Sequence, residues 1–242
     1  MSHADVDQAK HVVRERVWTL LEHEQAAERG VRGRIPAFVG ADEAAKRLAT
    51  LPTWQTAHVV KAVPDTAQLP VRALALTAGK LVYMAVPKLA DELPFYLLDP
   101  ATLSVPPAQA AAKEIAAKVA RKVAVHQMRP VDFVICGSVA VNRQGVRLGK
   151  GAGYSDIEVA LLIEAGLVTP DTTIATTVHA LQVLAEPLPE AEHDFGLDVI
   201  ITPDEIITCP QPAHRPTGLV WKNLSSEKVS AIPVLARAAA ER

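Results

Sequence analysis

Val12, Val13, Val17, Leu20 and Leu21 recur at spacings of three and four, which predicts an amphipathic helix from Asp5 to about Arg29. Lys10 and Arg14 stand one turn apart on that helix and share a face. Gly30 to Pro36 breaks the pattern. Ala44, Ala45 and Leu48 mark the inward side of a second, shorter helix from Ala41 to Leu51. His58 to Val63 then reads as a strand ended by Pro64 and Asp65. A third helix over Ala67 to Ala78 stops at Gly79, and strands follow at Leu81 to Val86 and Phe95 to Leu98. Pro106 and Pro107 open an alanine-rich segment that predicts one long helix to about His126. Val131 to Cys136 is almost continuously apolar, as a strand covered on both faces should be. A glycine-rich loop, Gly145 to Gly153, leads into a helix from Tyr154 to about Glu164. Short strands are expected at Thr172 to His179 and Val199 to Thr202, and the prolines after Pro210 predict a surface-running arm.

Strands alternating with helices imply βαβ units, hence an α/β fold with a mostly parallel sheet and helices on both faces. The 242 residues suit a single domain. Its N-terminal helices, about 5–50, are expected as an appendage on the sheet edge, and residues of about 210–242 as the arm. Composition narrows the function classes. With 49% hydrophobic and 21% charged residues the chain is that of a soluble globular protein. Twenty-five basic and 27 acidic residues leave a net charge of −2, so no overall field draws the molecule to nucleic acid or anionic lipid. Apolar runs stop well short of the roughly 18 residues of a membrane span. The N-terminus carries no secretory pattern, and Cys136 and Cys209 form no disulfide framework, so the cytoplasm is the expected address.

The stretch richest in chemistry is Arg147-Leu-Gly-Lys-Gly-Ala-Gly-Tyr-Ser-Asp156. Gly149, Gly151 and Gly153 alternate between a predicted strand and a predicted helix. Bare backbone N–H groups there, with the positive end of the following helix, make a nest for an anion, and Arg147 and Lys150 add full charge. The pattern is neither a Walker loop nor the dinucleotide fingerprint. A tight turn open only to glycine is the plain alternative. Asp156 and Asp198, the latter close to His193-Asp194, sit at ends of predicted elements. Two carboxylates near a polyphosphate suit Mg²⁺, although a turn or strand end explains Asp198 as well. Lys10 and Arg14 taken alone read as a solvated helix face. The eight histidines show no metal-ligand spacing, and Ser138 lacks a nucleophile elbow. Cys136 reads as packed core. Trp18, Trp54 and Trp221 show no base-stacking pattern.

Together these segments resemble the 5-formyltetrahydrofolate cyclo-ligase (methenyltetrahydrofolate synthetase) family over about residues 8 to 208. The resemblance rests on Asp132-Phe-Val-Ile-Cys-Gly-Ser-Val-Ala-Val and on the Gly145 to Asp156 loop, beside the family's R-L-G-x-G-x-G-Y-Y-D-R. It also rests on Lys10 with Arg14, on Gly79-Lys80 with Pro87-Lys88, and on His193-Asp194 with Asp198. Arg34-Ile-Pro and Gly-Ser-Val-Ala-Val look closest to the synthetase domain-containing branch. The resemblance implies a three-layer fold of the NagB/RpiA/CoA-transferase type, with ATP and Mg²⁺ as cofactors and a reduced folate or related heterocycle as small-molecule substrate. It implies phosphorylation of the formyl oxygen of 5-formyltetrahydrofolate, attack by N10, and loss of phosphate as the methenyl ring closes. By matching position, Lys10, Arg14, Arg147, Gly149, Lys150, Gly151, Gly153 and Tyr154 would hold the nucleotide. Arg14, Lys150 and Tyr154 would act in catalysis, and Asp156 and Asp198 would hold the metal. The chain departs from the family at Ser155, where a second tyrosine is usual, and at Ile157, where an arginine is usual. Leu69 and Pro70, with Arg72 nearby, stand where an acidic substrate contact is expected. The alternative is a diverged member that binds ATP but acts on another metabolite, or regulates.

Overall fold

The computed structural model describes residues 3–210 and 213–242. Met1, Ser2, Gln211 and Pro212, the last two within the expected arm, lie outside the described residues. The order begins α1 (His3–His23), α2 (Ala41–Leu48), α3 (Pro52–Thr56), β1 (Val59–Ala62), α4 (Leu69–Thr77), β2 (Leu81–Ala85) and β3 (Phe95–Leu98). It continues α5 (Pro107–Ala110), α6 (Lys113–Val119), β4 (Arg121–Val123), β5 (Phe133–Cys136), β6 (Ala140–Asn142), β7 (Arg147–Leu148) and α7 (Tyr154–Glu164). The remainder is β8 (Thr173–Thr177), β9 (Val183–Leu184), β10 (Val199–Ile201), β11 (Ile206–Thr208), α8 (Ser226–Ala231) and α9 (Pro233–Ala240).

Eight strands form one sheet in the order β11-β10-β8-β5-β1-β2-β3-β4, and β7-β6-β9 form a small second sheet. The run β10-β8-β5-β1-β2 is parallel, and both flanks turn antiparallel. Alternation along each strand assigns its residues to two cores. Val60 and Ala62 of β1 face Val17, Leu21, Ala44, Leu48 and Leu76 from α1, α2 and α4. Val59 of β1, Val134 and Ile174 face Val159, Leu162 and Leu235 from α7 and α9. The result is the expected α/β fold, helices over both faces of a mostly parallel sheet.

Several elements differ from expectation. α1 ends at His23, because Gln25 takes a left-handed φ of 54° and turns Ala26 and Ala27 into the core. Val12, placed on the apolar stripe, is exposed. The long helix expected to His126 is instead α5, α6 and a strand. Ala112 is extended (ψ 131°) and breaks the run, and Arg121 to Val123 pair antiparallel with β3, so sheet pairing overrides the helix preference of Arg121 and Lys122. The N-terminal helices are not an edge appendage: α2 packs against β8, β10 and α4. The expected arm also enters the core. Ile232 and Leu235 are fully buried, and truncating either such side chain costs about 2–5 kcal/mol.

Candidate active site

In a parallel sheet every strand delivers the chain to the same edge, and crevices at the carboxyl edge are where such folds bind ligands. Here the exits of β1 (Val63, Pro64, Asp65), β2 (Val86, Pro87, Lys88) and β5 (Gly137) floor a cleft of about 680 Å³. The loop from Leu148 to Asp156 and the N-terminal part of α1 wall it.

The glycine loop owes its shape to its sequence. Gly151 (φ 97°) and Gly153 (φ 70°) occupy left-handed backbone, which side chains other than glycine's disfavour. A Cβ on Gly151 would also meet the Arg14 guanidinium at 3.3 Å. The first N–H groups of any α-helix have no partner within it. Here the vacancy extends back through the loop: among the described residues, the amides of residues 150–156 have no protein acceptor. This row of unpaired donors, at the start of the 11-residue α7, is a cradle for an anion.

Side chains brace the cradle. Arg14 donates from Nε to the Gly149 carbonyl at 2.7 Å. Burial lowers its pKa, opposed by Asp7 and Asp194, and it stays charged at neutral pH. Arg147 is buried beneath the loop. It donates to Gly137 O at 3.1 Å and to Asp156 Oδ1 at 2.7 Å, with its guanidinium 4.3 Å above the Phe195 ring. Burial works against its charge, and Asp156, Cys136 and Asp194 more than offset it, raising its pKa. Lys150 is partly exposed, 3.3 Å from Asp65. Tyr154 opens α7 and lines the cleft.

Two expectations change in detail. Lys10 lines the cleft, but its ammonium is buried against Asp194 at 2.5 Å, and Asp194 also accepts from Ala191 N–H at 2.7 Å. Its charge is therefore already neutralised, and it ties α1 to the 191–194 turn. Asp198 is not in the cleft and does not join Asp156. It precedes β10, at the amino edge of the parallel strands, where its carboxylate accepts from Ile174 N–H and Arg215, both at 2.6 Å. The His193-Asp194 pair was visible in the sequence; that its aspartate meets Lys10 was not, because the two are 184 positions apart.

Three groups escaped the sequence reading. Asp65 faces the cleft opposite Lys150. Lys61, fully buried at the centre of β1, pairs with Glu158 on α7, whose carboxyl burial pushes up against the pull of Lys61. Lys228, from α8, donates to the Ala152 carbonyl. The one hint available in the sequence was a lysine set between apolar residues inside the strand expected over His58 to Val63. Of the departures from the family pattern, Ile157 is buried in the second core. Arg72 is enclosed and donates to the Ala111, Val63 and Asp65 carbonyls; burial lowers its pKa to about 10.

For a metal, no cluster of three acidic, histidine or cysteine side chains exists among the described residues. Mg²⁺ on a polyphosphate needs only one or two carboxylates, and Asp156 and Asp65 are the cleft's candidates. The seven unpaired amides, with Arg14 and Lys150 beside them, fit a triphosphate.

Residues 6–203 match the 5-formyltetrahydrofolate cyclo-ligase family. The chain belongs to that family. Similar curated proteins are methenyltetrahydrofolate synthase domain-containing proteins. The Mus musculus protein is 37% identical over 241 residues, covering 94% of this chain and 62% of its own length. The Homo sapiens protein is 35% identical over 240 residues, covering 94% and 60%. The chain thus spans about three-fifths of the curated relatives it matches. Among solved structures, the 5,10-methenyltetrahydrofolate synthetase of Aquifex aeolicus shares the fold, with a TM-score of 0.53 at 20% identity, over 89% of this chain and 99% of that one. Family enzymes are ATP-dependent cyclo-ligases with a NagB-like fold, and among the described residues of this member no helix is long and apolar enough to cross a membrane.

Proposed function

We propose that this protein is an ATP- and Mg²⁺-dependent cyclo-ligase that converts 5-formyltetrahydrofolate to 5,10-methenyltetrahydrofolate. The observation that carries the reading is the cradle of unpaired amides over residues 150–156, opening at the carboxyl edge of the parallel strands. A bound nucleotide supplies the phosphoryl group that turns the formyl oxygen into a leaving group, with Mg²⁺ offsetting phosphate charge. The chain's own part is positioning and charge neutralisation, which dominate phosphoryl transfer. Loop amides and the α7 terminus hold the phosphates. Lys150, more exposed than Lys10 and Arg147 and 3.3 Å from Asp65, is the cation that would pair with the transferring group. Arg14 keeps the loop concave by donating to the Gly149 carbonyl at 2.7 Å and places its positive charge beside the cradle. Asp156 keeps one oxygen on Arg147 and offers the other to Mg²⁺. Tyr154 walls the cleft beside them.

A second reading, a family member acting on another small heterocycle, is favoured by Ile157 and Arg72. Both side chains point into packed cores, so neither supplies the cleft with a substrate contact. Purified protein with MgATP and 5-formyltetrahydrofolate is expected to develop the absorbance of the methenyl product with ATP consumed one for one. MgATP binding without product, at saturating substrate, selects the second reading. Absence of MgATP binding refutes both.

A further inference from the structure

Residues after 203 lie beyond the family match, yet they close one side of the glycine loop. The segment is fixed at several points. Arg215 binds Asp198 and the Gly196 carbonyl, each at 2.6 Å. Leu219 N–H donates to Glu164 at 2.8 Å, and Asn223 donates to His193 Nδ1 at 3.1 Å. Ile232 and Leu235 are buried in the second core. Between these anchors the Ser225 hydroxyl accepts from Lys228 N–H at 3.2 Å, capping α8 and fixing the helix start that carries Lys228.

Lys228 donates to the Ala152 carbonyl, and its ammonium lies 5.0 Å from the centre of the Tyr154 ring. Gly153 permits that approach, because a Cβ there would stand 3.3 Å from the ammonium. Lys228 lies outside the cleft, in a small recess behind the loop, whereas Ala152 and Gly153 line it. A trans peptide unit is planar, with its C=O and N–H pointing in opposite directions. Holding the Ala152 carbonyl toward the recess therefore turns the Gly153 N–H toward the cleft.

We propose that Lys228 is a positioning residue of the anion cradle: it locks the 152–153 peptide so that the Gly153 N–H is presented to phosphate. The proposal rests on the reading of the cradle as a phosphate site. It makes the C-terminal segment a working part of that site.

The test is calorimetric titration of the full chain with MgATP and, separately, with inorganic triphosphate. Lys228→Met should weaken both by about tenfold or more, the scale of one charge-assisted hydrogen bond. Lys228→Arg, which keeps a charged donor, should recover most of that loss. Lys222→Ala, which removes an exposed lysine of the same segment paired with Glu192 at 2.7 Å, should bind as the parent does. Equal affinity of Lys228→Met and the parent overturns the proposal, and so does an equal loss in Lys222→Ala, which would mark a general charge effect. If the parent binds neither probe, the phosphate reading falls and Lys228's role with it. If the parent binds both but forms no methenyl product, only the reaction falls, and the variants still decide the role of Lys228.

Discussion

Replacing Lys61 by Met tests the energetics beneath the site. The ammonium is wholly enclosed at the middle of β1, and Glu158 is its ion-pair partner. Removing one member of a buried pair leaves the other charge uncompensated, which costs about 3–5 kcal/mol. That is a large share of a total stability of about 5–15 kcal/mol. At about 2–4 °C per kcal/mol for a chain of this size, the thermal midpoint should fall by roughly 6–20 °C. The sign of the pH dependence follows from Glu158, whose pKa is raised by burial even with Lys61 present. A carboxyl with a raised folded pKa binds its proton more readily in the folded state, so stability falls as pH rises through the interval between the two pKa values. With Lys61 gone the folded pKa rises further. The deficit of Lys61→Met should then be largest at neutral pH and shrink as pH falls through that folded pKa toward the unfolded carboxyl's 4.5. Lys61→Met/Glu158→Leu, with neither charge left, should recover most of the loss. Urea unfolding of parent, single and double variants at several pH values measures all of this. A single variant within about 1 kcal/mol of the parent at neutral pH, or a double variant no better than the single, refutes the reasoning.

Gly151→Ala forces a side chain onto a φ of 97° and against Arg14 at 3.3 Å. It should lose about 1–2 kcal/mol of stability by denaturant titration, and MgATP affinity by calorimetry should drop along with it. Asp198→Asn should lower the melting temperature through its bonds to Ile174 and Arg215 while leaving the Mg²⁺ dependence of ATP binding unchanged. A lost Mg²⁺ dependence would return that carboxylate to the site. Burial pushes the Cys209 thiol up to about 11, with Asp198 adding to the effect. Iodoacetamide at pH 8 should therefore leave Cys209 largely unmodified by mass spectrometry until denaturant is added.

The sheet and most of its helices were legible because their periodicity is local. Phe95–Leu98 and Tyr154–Glu164 fall where the pattern placed them, and Ala44, Ala45 and Leu48 are fully buried as expected. The alanine-rich stretch misled because alanine suits a helix interior and a buried close contact equally. Only pairing with β3 decided that residues 121–123 extend. The glycine loop announced itself through composition. Its braces did not, since Lys10 with Asp194, Lys61 with Glu158 and Lys228 with Ala152 join residues 184, 97 and 76 positions apart. Asp198 was misplaced for a related reason. A carboxylate at a strand boundary looks the same in sequence at either end of the strand, and here it guards the amino end.

Both outermost strands of the large sheet, β4 and β11, are three residues long and run against their neighbours. Arg121 and Lys122 of β4 are exposed. Such margins offer a second chain almost no unpaired backbone to dock on, and one of them repels its own kind by charge. Continuing the large sheet from molecule to molecule is therefore disfavoured, which leaves contacts between side-chain surfaces as the easier route to any assembly this protein forms.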